Sequence, residues 1–303
     1  MTDRPPSGIL NVDKPYGMTS MEVVRRVKRA LGVKKGVGHG GTLDPIATGV
    51  IPVCIGQATR VMEFLLDSSK EYTCGIHMGV TTDTYDAMGD IAADRDASHV
   101  TRQAIESALE DFQGEIAQVP PMYSALKRQG RRLYDLAREG VKVELDSRPV
   151  VVHEIYLTEW VPPVATVNIV CGKGFYVRSL AHDLGNALGC GGHMKSLVRR
   201  RTGPFHIDDA VSLEDAQREI ESGRTADWLI GPDSVLESMP AIIVGQQHQS
   251  AIRNGRALPP GVGPSTEPGS GRIRAYGTDG AFVAIMRFDA KLRQWRPDKV
   301  FNS

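Results

Sequence analysis

The chain has 303 residues, with 36 Lys plus Arg balanced by 36 Asp plus Glu. That length buries a full core in one large domain or two, and the neutral total excludes proteins whose composition alone announces a polyanion partner. Four cysteines without a CxxC pair exclude a disulfide scaffold and a cysteine metal site, and read as reduced thiols of a cytoplasmic protein; no apolar run reaches the ~18 residues of a membrane span.

Taken in order, Ile9 to Val12 form a short strand ended by Asp13-Lys14-Pro15. Thr19-x-x-Glu22 has capping-box spacing. The helix it opens puts Val23, Val24, Val27, Ala30 and Leu31 on one side and Arg25, Arg26, Lys28 and Arg29 largely on the other, and Gly32 stops it. Then comes Gly38-His39-Gly40-Gly41-Thr42-Leu43-Asp44-Pro45-Ile46-Ala47-Thr48-Gly49, in which glycines surround the only acidic residue between Glu22 and Glu63. Glycines let such a loop pass close to a ligand, and Pro45 holds Asp44 extended. Two readings stand side by side: a carboxylate displayed on a stiff loop, or a tight turn whose Asp caps its own backbone. Gly36-x-Gly38-x-x-Gly41 also fits a dinucleotide fingerprint, but that needs a strand before it and a helix opening at it. Here a basic helix precedes it and Pro45 follows, so that reading is set aside.

Further on, Val50 to Ile55 read as a buried strand and Val61 to Leu66 as part of a helix. Tyr72, Cys74, Ile76 and Met78 alternate with more polar neighbours as a strand does. Thr101 caps a helix buried through Ile105, Ala108, Leu109 and Phe112. Val150 to Trp160 and Thr166 to Cys171 are strand-like, and Leu180, Ala181, Leu184, Ala187 and Leu188 have helical spacing. Strands and helices without regular βαβ alternation predict an α+β fold with a mixed or antiparallel sheet. A boundary near Ser234–Pro240 divides residues 1–235 from 236–303. Beyond it, Ile242-Ile243-Val244, Arg272-Ile273-Arg274 and Ala281 to Phe288 predict short strands of a small β-rich module, interrupted by Pro259–Gly271. The neutral charge is unevenly spread. Lys14 to Lys35 and Lys173 to Arg201 are strongly basic, whereas Asp83 to Glu115 is acidic. That distribution conceals a basic face suited to phosphates, or else ordinary solvated helix faces.

The glycine-rich stretch resembles the catalytic loop of the TruB family of RNA pseudouridine synthases, with no departure at the motif positions. The likeness continues through Asn11-Val12-Asp13-Lys14-Pro15-x-Gly17-Met18-Thr19-Ser20, Lys70-x-Tyr72 and Thr82-Asp83-Thr84-x-Asp86. It extends to Pro120-Pro121-x-Tyr123-Ser124-Ala125-x-Lys127 and Gly174-x-Tyr176-x-Arg178. The resemblance implies a central pseudouridine-synthase sheet flanked by helices, a basic cleft, and a C-terminal PUA-like RNA-binding module. It implies isomerisation of a uridine in the T-loop of tRNA, by a monomer that binds the T-stem-loop. The alternatives are a non-catalytic RNA-binding or RNA-folding protein, and a related synthase acting on other RNA.

Turning uridine into pseudouridine breaks the C1′–N1 bond and rejoins the base through C5. With no redox change and no group donor, it calls for neither metal nor organic cofactor. It calls for one ionised carboxylate, and the family's catalytic Asp falls on Asp44. Attack at C1′, attack on the base, and help in losing a sugar proton all stay open to it. Arg178 falls on the arginine that keeps that carboxylate charged. Tyr72 falls on the tyrosine that stacks on the extruded uracil and takes part in proton transfer. Tyr176 and Leu197 fall on pocket-lining residues, His39 on the loop histidine that fills the vacated space, and Lys14 is a further expected substrate contact.

Overall fold

The computed structural model describes residues 6–124, 127–128, 130–133, 139, 141, 143–264 and 271–302. Ala125, the side chain of Lys127 and part of the Pro259–Gly271 interruption lie outside the described residues. In chain order the first elements are β1 (Gly8–Lys14), α1 (Ser20–Ala30), β2 (Val37–His39), β3 (Ala47–Ile55), α2 (Met62–Asp67), β4 (Lys70–Met78), β5 (Val80–Thr82), β6 (Ile91–Asp94), α3 (Arg102–Glu110) and β7 (Gly114–Gln118). They are followed by β8 (Lys127–Arg128), β9 (Arg131–Arg132), β10 (Arg148–Val161), β11 (Val164–Cys171), α4 (Val177–Ala187), β12 (Gly192–Thr202), β13 (Phe205–His206), β14 (Val211–Ser212) and α5 (Leu213–Glu221). The last are β15 (Ala241–Val244), α6 (Gln246–Arg253), β16 (Arg272–Gly277), β17 (Phe282–Asp289) and β18 (Gln294–Val300).

The main sheet runs β14-β1-β3-β12-β4-β11-β10-β7, with β2 paired to β3 and β13 to β12. The β1–β14 and β3–β12 pairs are parallel and the other neighbours antiparallel, so the sheet is mixed and the α+β expectation holds. Its middle is covered on both faces, which is why Val50 to Ile55 of β3 read as an unbroken apolar run and Ile9 to Val12 of β1 are interrupted only by Asn11. Leu10, Val12, Ile51, Val53 and Ile55 join a core with Val23, Val24 and Val27 of α1, Leu180, Ala181 and Leu184 of α4, and Leu213, Ala216 and Ile220 of α5. Ile9, Val50 and Cys54 point the other way, into a cluster with Leu65, Leu236, Met239, Ile285 and Phe301. The four-stranded sheet β15-β16-β17-β18 therefore packs on the back of β1 and β3 through Ile285 and Phe301. Its own core gathers Ile252, Ile273, Ala275, Val283 and Trp295.

Local chemistry explains the ends of α1. Thr19 Oγ1 accepts from the Glu22 N–H at 3.1 Å, but Glu22 turns outward to Arg25 and Arg26, so only half of the capping box forms. At the other end Gly32 has φ +67°, and the Val33 N–H reaches Lys28 O at 3.0 Å, a left-handed helix stop. The 36–41 glycines lead into a strand, β2, and a loop; no helix opens there, which removes the geometry a dinucleotide fingerprint needs. The helix expected from Val61 begins earlier, as a 3-10 turn over Gly56–Val61 that becomes α2. Lys70, at the start of β4, buries its ammonium against α2's last carbonyls, Leu65 O (2.9 Å) and Leu66 O (2.7 Å), and Ser68 O (2.6 Å); a cation suits that negative helix end.

Candidate active site

The chain leaves the sheet along β2, turns through residues 40–46 and returns as β3, which pairs with β2 from Val53 to Ile55. Asp44 sits on the turn. Its backbone is pinned on every side. Ser20 Oγ accepts from Leu43 N–H (2.8 Å) and donates to Leu43 O (2.9 Å). The Lys14 ammonium, fully buried, donates to Pro15 O (2.9 Å), Met18 O (2.6 Å) and Pro45 O (3.4 Å). Burial pushes its pKa down to about 8, with Asp44 opposing. The expectation that Lys14 contacts substrate is thereby corrected: its ammonium is fully buried beneath the loop, its donors held by backbone carbonyls, and is not presented to a phosphate.

Under the loop lies Arg199, 1% exposed in the middle of the sheet. Its Nε donates to Val50 O (2.7 Å), Nη2 to Gly41 O (3.1 Å) and Nη1 to Thr42 O (3.4 Å). The approach of β12 is so close that a Cβ on Gly49, whose φ is +98°, would sit 2.3 Å from Arg199 O; only glycine fits there. Tyr72 lies opposite Arg199 in register on β4, and its hydroxyl shares a hydrogen bond with that guanidinium. Burial pushes the phenol upward, Arg199 opposing, so the hydroxyl keeps its proton at neutral pH. His39 is half-buried, its Nδ1 accepting from the Gly41 N–H at 3.4 Å. Burial first, then Arg199, lowers its pKa, which makes it a neutral ring.

Facing the loop is Arg178, the second residue of α4. It is buried at 5% exposure, and Gln118 fixes the helix entry by accepting from Tyr176 N–H (2.7 Å) and donating to Tyr176 O (3.0 Å). Arg178 Nε lies 2.9 Å from Asp44 Oδ2 and 3.8 Å from Asp86 Oδ2. Its Nη1 donates to Thr84 O (3.2 Å) and Nη2 to Tyr123 O (2.7 Å). Burial raises the Asp44 pKa, and Arg178 opposes it; Asp86 adds to the rise and Lys14 to the opposition. The carboxylate remains 36% exposed at the side chain, open to a ligand on the side away from Arg178.

Arg178, Tyr72, Tyr176 and Lys14 are thus each within electrostatic reach of Asp44. Leu197 is buried on β12 with Ala47 and Cys74 as register neighbours, at the foot of the loop. Two participants were given no role from sequence. Asp86 lies in a motif block but carried no assignment there. Arg199 was counted within a basic run, although the alternation Leu197, Arg199 places both on one strand face. Among the described residues no group of three or more His, Cys, Asp or Glu is placed to hold a metal ion, and no helix is long and apolar enough to cross a membrane.

The chain is similar to known proteins over most of its length. Residues 28–177 match the model of the TruB family pseudouridylate synthase N-terminal domain, and residues 178–233 that of the tRNA pseudouridylate synthase B C-terminal domain. A tRNA pseudouridine synthase B from Dehalococcoides mccartyi is 41% identical over 98% of this chain and 97% of its own. One from Symbiobacterium thermophilum is 48% identical over 82% of each chain. Among solved structures, a chain of an H/ACA RNP bound to a substrate RNA containing 2′-deoxyuridine superposes with a TM-score of 0.71 at 26% identity, covering 98% of this chain and 85% of that one.

Proposed function

Because this chain belongs to the TruB family of pseudouridylate synthases, we propose that it isomerises one uridine in the T-loop of tRNA to pseudouridine, with Asp44 as the catalytic carboxylate. The observation that carries this reading is the 2.9 Å pairing of a half-exposed Asp44 with a buried Arg178. Burial favours the protonated form of Asp44, and the Arg178 guanidinium opposes that push, favouring the anion that glycosidic bond cleavage requires. Free on its outer side, the carboxylate can approach C1′ or the base of an extruded nucleotide.

Tyr72 supplies the aromatic floor for the uracil, with its hydroxyl turned down to Arg199. Tyr176 and Leu197 line the pocket, and the neutral His39 takes the space the flipped base leaves in the RNA. Exposed Arg25, Arg29, Lys34 and Lys35 on the approach to the loop, and Lys195 and Arg200 on β12, meet the phosphates. In this reading residues 1–235 perform the chemistry and 236–303 form a PUA-like module that adds backbone contacts, the enzyme working as a cytoplasmic monomer. A T-stem-loop RNA carrying C5-tritiated uridine tests it, since joining at C5 expels that hydrogen. Release from the folded stem-loop is expected. Absence of release from a well-folded substrate would sink the proposal.

A further inference from the structure

Tyr85 holds φ at +64°, in the left-handed region where a bulky side chain is strained. Glycine or asparagine would take that backbone more easily, so the reason for a tyrosine lies in its ring. The ring stacks on His182, with centroids 3.9 Å and planes 13° apart. His182 Nε2 pairs with Asn186 Nδ2 at 2.9 Å. The amide must donate, which assigns the imidazole proton to Nδ1, and Nδ1 is buried without a partner among the described residues. Burial also lowers the His182 pKa. The stack is therefore between two neutral rings, a flat contact and not a cation held over an aromatic face.

What this contact joins is telling. His182 follows Arg178 by four residues on α4, so both project from one side of the helix. Tyr85 is flanked by the two residues that meet Arg178 from the facing turn: Thr84, whose carbonyl accepts Nη1 at 3.2 Å, and Asp86, whose carboxylate lies 3.8 Å from Nε. Asp86 is itself held by Thr84 Oγ1 (2.7 Å) and the Met88 N–H (3.0 Å). The turn is tied to β12 by Met194 N–H to Tyr85 O and Ala87 N–H to Met194 O, both 2.9 Å. A closed circuit results: α4 carries Arg178, Arg178 meets Thr84 and Asp86, and the residue between them returns to α4 through its ring.

We propose that the Tyr85–His182 stack is a positioning device that clamps the 82–88 turn to α4 and so aims the Arg178 guanidinium at Asp44. This rests on the reading of Asp44 as the catalytic carboxylate and adds to it two residues that act only through Arg178. The charged groups facing Asp44 are Arg178, Asp86 and Lys14. Beside the stack lies Asp183, which burial pushes up to about 6 and which acts on the Tyr85 hydroxyl. If the clamp is released, Arg178 no longer opposes the rise in Asp44, and the carboxylate forms only at higher pH.

The test is the single-turnover rate on a T-stem-loop as a function of pH, for Tyr85→Ala, His182→Ala, Tyr85→Phe, His182→Phe and Asp183→Asn. Both alanine variants should lose about ten- to hundredfold in rate, as small misplacements of a reacting group do, with RNA affinity unchanged and the acid limb moved to higher pH. The double alanine variant should be no worse than either single one, because both cut the same circuit. Both phenylalanine variants keep a stacking ring and should keep the rate and the limb, and Asp183→Asn should leave the limb in place. An unmoved limb in the alanine variants, an equal loss in the phenylalanine variants, or a limb that follows Asp183 would overturn the proposal. If Tyr85→Ala fails to fold, His182→Ala, on a half-exposed face of α4, decides alone. Turnover surviving in Asp44→Asn would instead remove the reading beneath it, whatever the Tyr85 variants do.

Discussion

Below the Asp44 loop, Arg199 gives its N–H groups to the carbonyls of Val50, Gly41 and Thr42 and to the Tyr72 hydroxyl. Across from the loop, Arg178 also meets two carbonyls, but lies against the carboxylates of Asp44 and Asp86. Both guanidiniums are buried, yet their partners differ in charge. Carbonyls are dipoles, so they satisfy Arg199's donors and leave its net charge in place, and that charge adds to the effect of burial in lowering the His39 pKa and opposes the rise of Tyr72. Carboxylates offset the charge of Arg178, which in return opposes the rise that burial causes in the Asp44 pKa. The lower side fixes the shape of the loop, and the facing side sets the ionisation of what the loop displays.

The largest effect is expected from Asp44→Asn, which removes the facing side's purpose while sparing the lower side. Asparagine keeps the size and planarity of aspartate, and the pinned carbonyls of Gly41, Thr42, Leu43 and Pro45 are main-chain groups that the substitution leaves alone. Turnover should drop below detection, with tRNA affinity unchanged or slightly higher because a charge near phosphates is gone. Asparagine caps a turn as well as aspartate, so an Asp44 that only shaped the loop would leave substantial turnover.

Arg178→Lys comes next. Lysine keeps a charge but loses the planar fork that reaches Asp44 and the carbonyls of Thr84 and Tyr123 together. A loss of about a hundredfold or more is expected, the scale of removing one preorganised electrostatic contact. The direction in pH follows from the burial of Asp44. Arg178 opposes the upward push, so weakening it raises the Asp44 pKa, and the acid limb of the rate moves to higher pH. A slower enzyme with an unmoved limb would assign Arg178 to shape alone.

Arg199→Met should do the reverse. Three carbonyls and a hydroxyl lose a charged donor, which costs about 3 kcal/mol or more of stability, readable as a lower urea midpoint. Arg199 is not among the largest influences on Asp44, which are burial, Arg178, Asp86 and Lys14, so whatever rate survives should keep its acid limb. A shifted limb at full stability would erase the distinction between the two arginines.

The same contrast explains what the sequence could reveal. Asp44, Arg178 and Tyr72 stood in motif blocks, and the structure brings Arg178 and Tyr72 each within reach of Asp44. Apolar periodicity located β1, β3, β4, α1, α3 and α4, because both faces or one clear stripe of each are buried. It missed β12, whose Lys195-Ser196-Leu197-Val198-Arg199-Arg200-Arg201 run looks solvated. A buried guanidinium pays no visible penalty when carbonyls from distant residues meet it, and no local pattern records where those carbonyls lie. Lys14 was misread for the same reason, since the carbonyl of Pro45 meets it only after folding. The 236–303 segment hid a different fact. Ile285 and Phe301 close the back of β1 and β3, so deleting the segment strips a core face as well as any RNA contacts, and a truncation would not separate binding from folding.

The smallest effect is expected from Tyr72→Phe, and it probes where the two sides meet. The ring is kept, so stacking on the uracil and tRNA affinity should be unchanged. Only the hydroxyl that shares a hydrogen bond with Arg199 is lost. Arg199 retains its three carbonyls, so the loop should loosen slightly, at a cost of about 1.5 kcal/mol, the low end for a hydrogen bond to a charged group. The rate should fall by about tenfold or less. A hydroxyl that moves a proton in the reaction would be worth about a hundredfold to ten-thousandfold, with little change in stability. Single-turnover rate and urea midpoint, measured on the same variant, separate the outcomes. A modest loss in both makes the hydroxyl part of the lower, shape-holding side. A large loss in rate at an unchanged midpoint would move Tyr72 across to the side that does the chemistry.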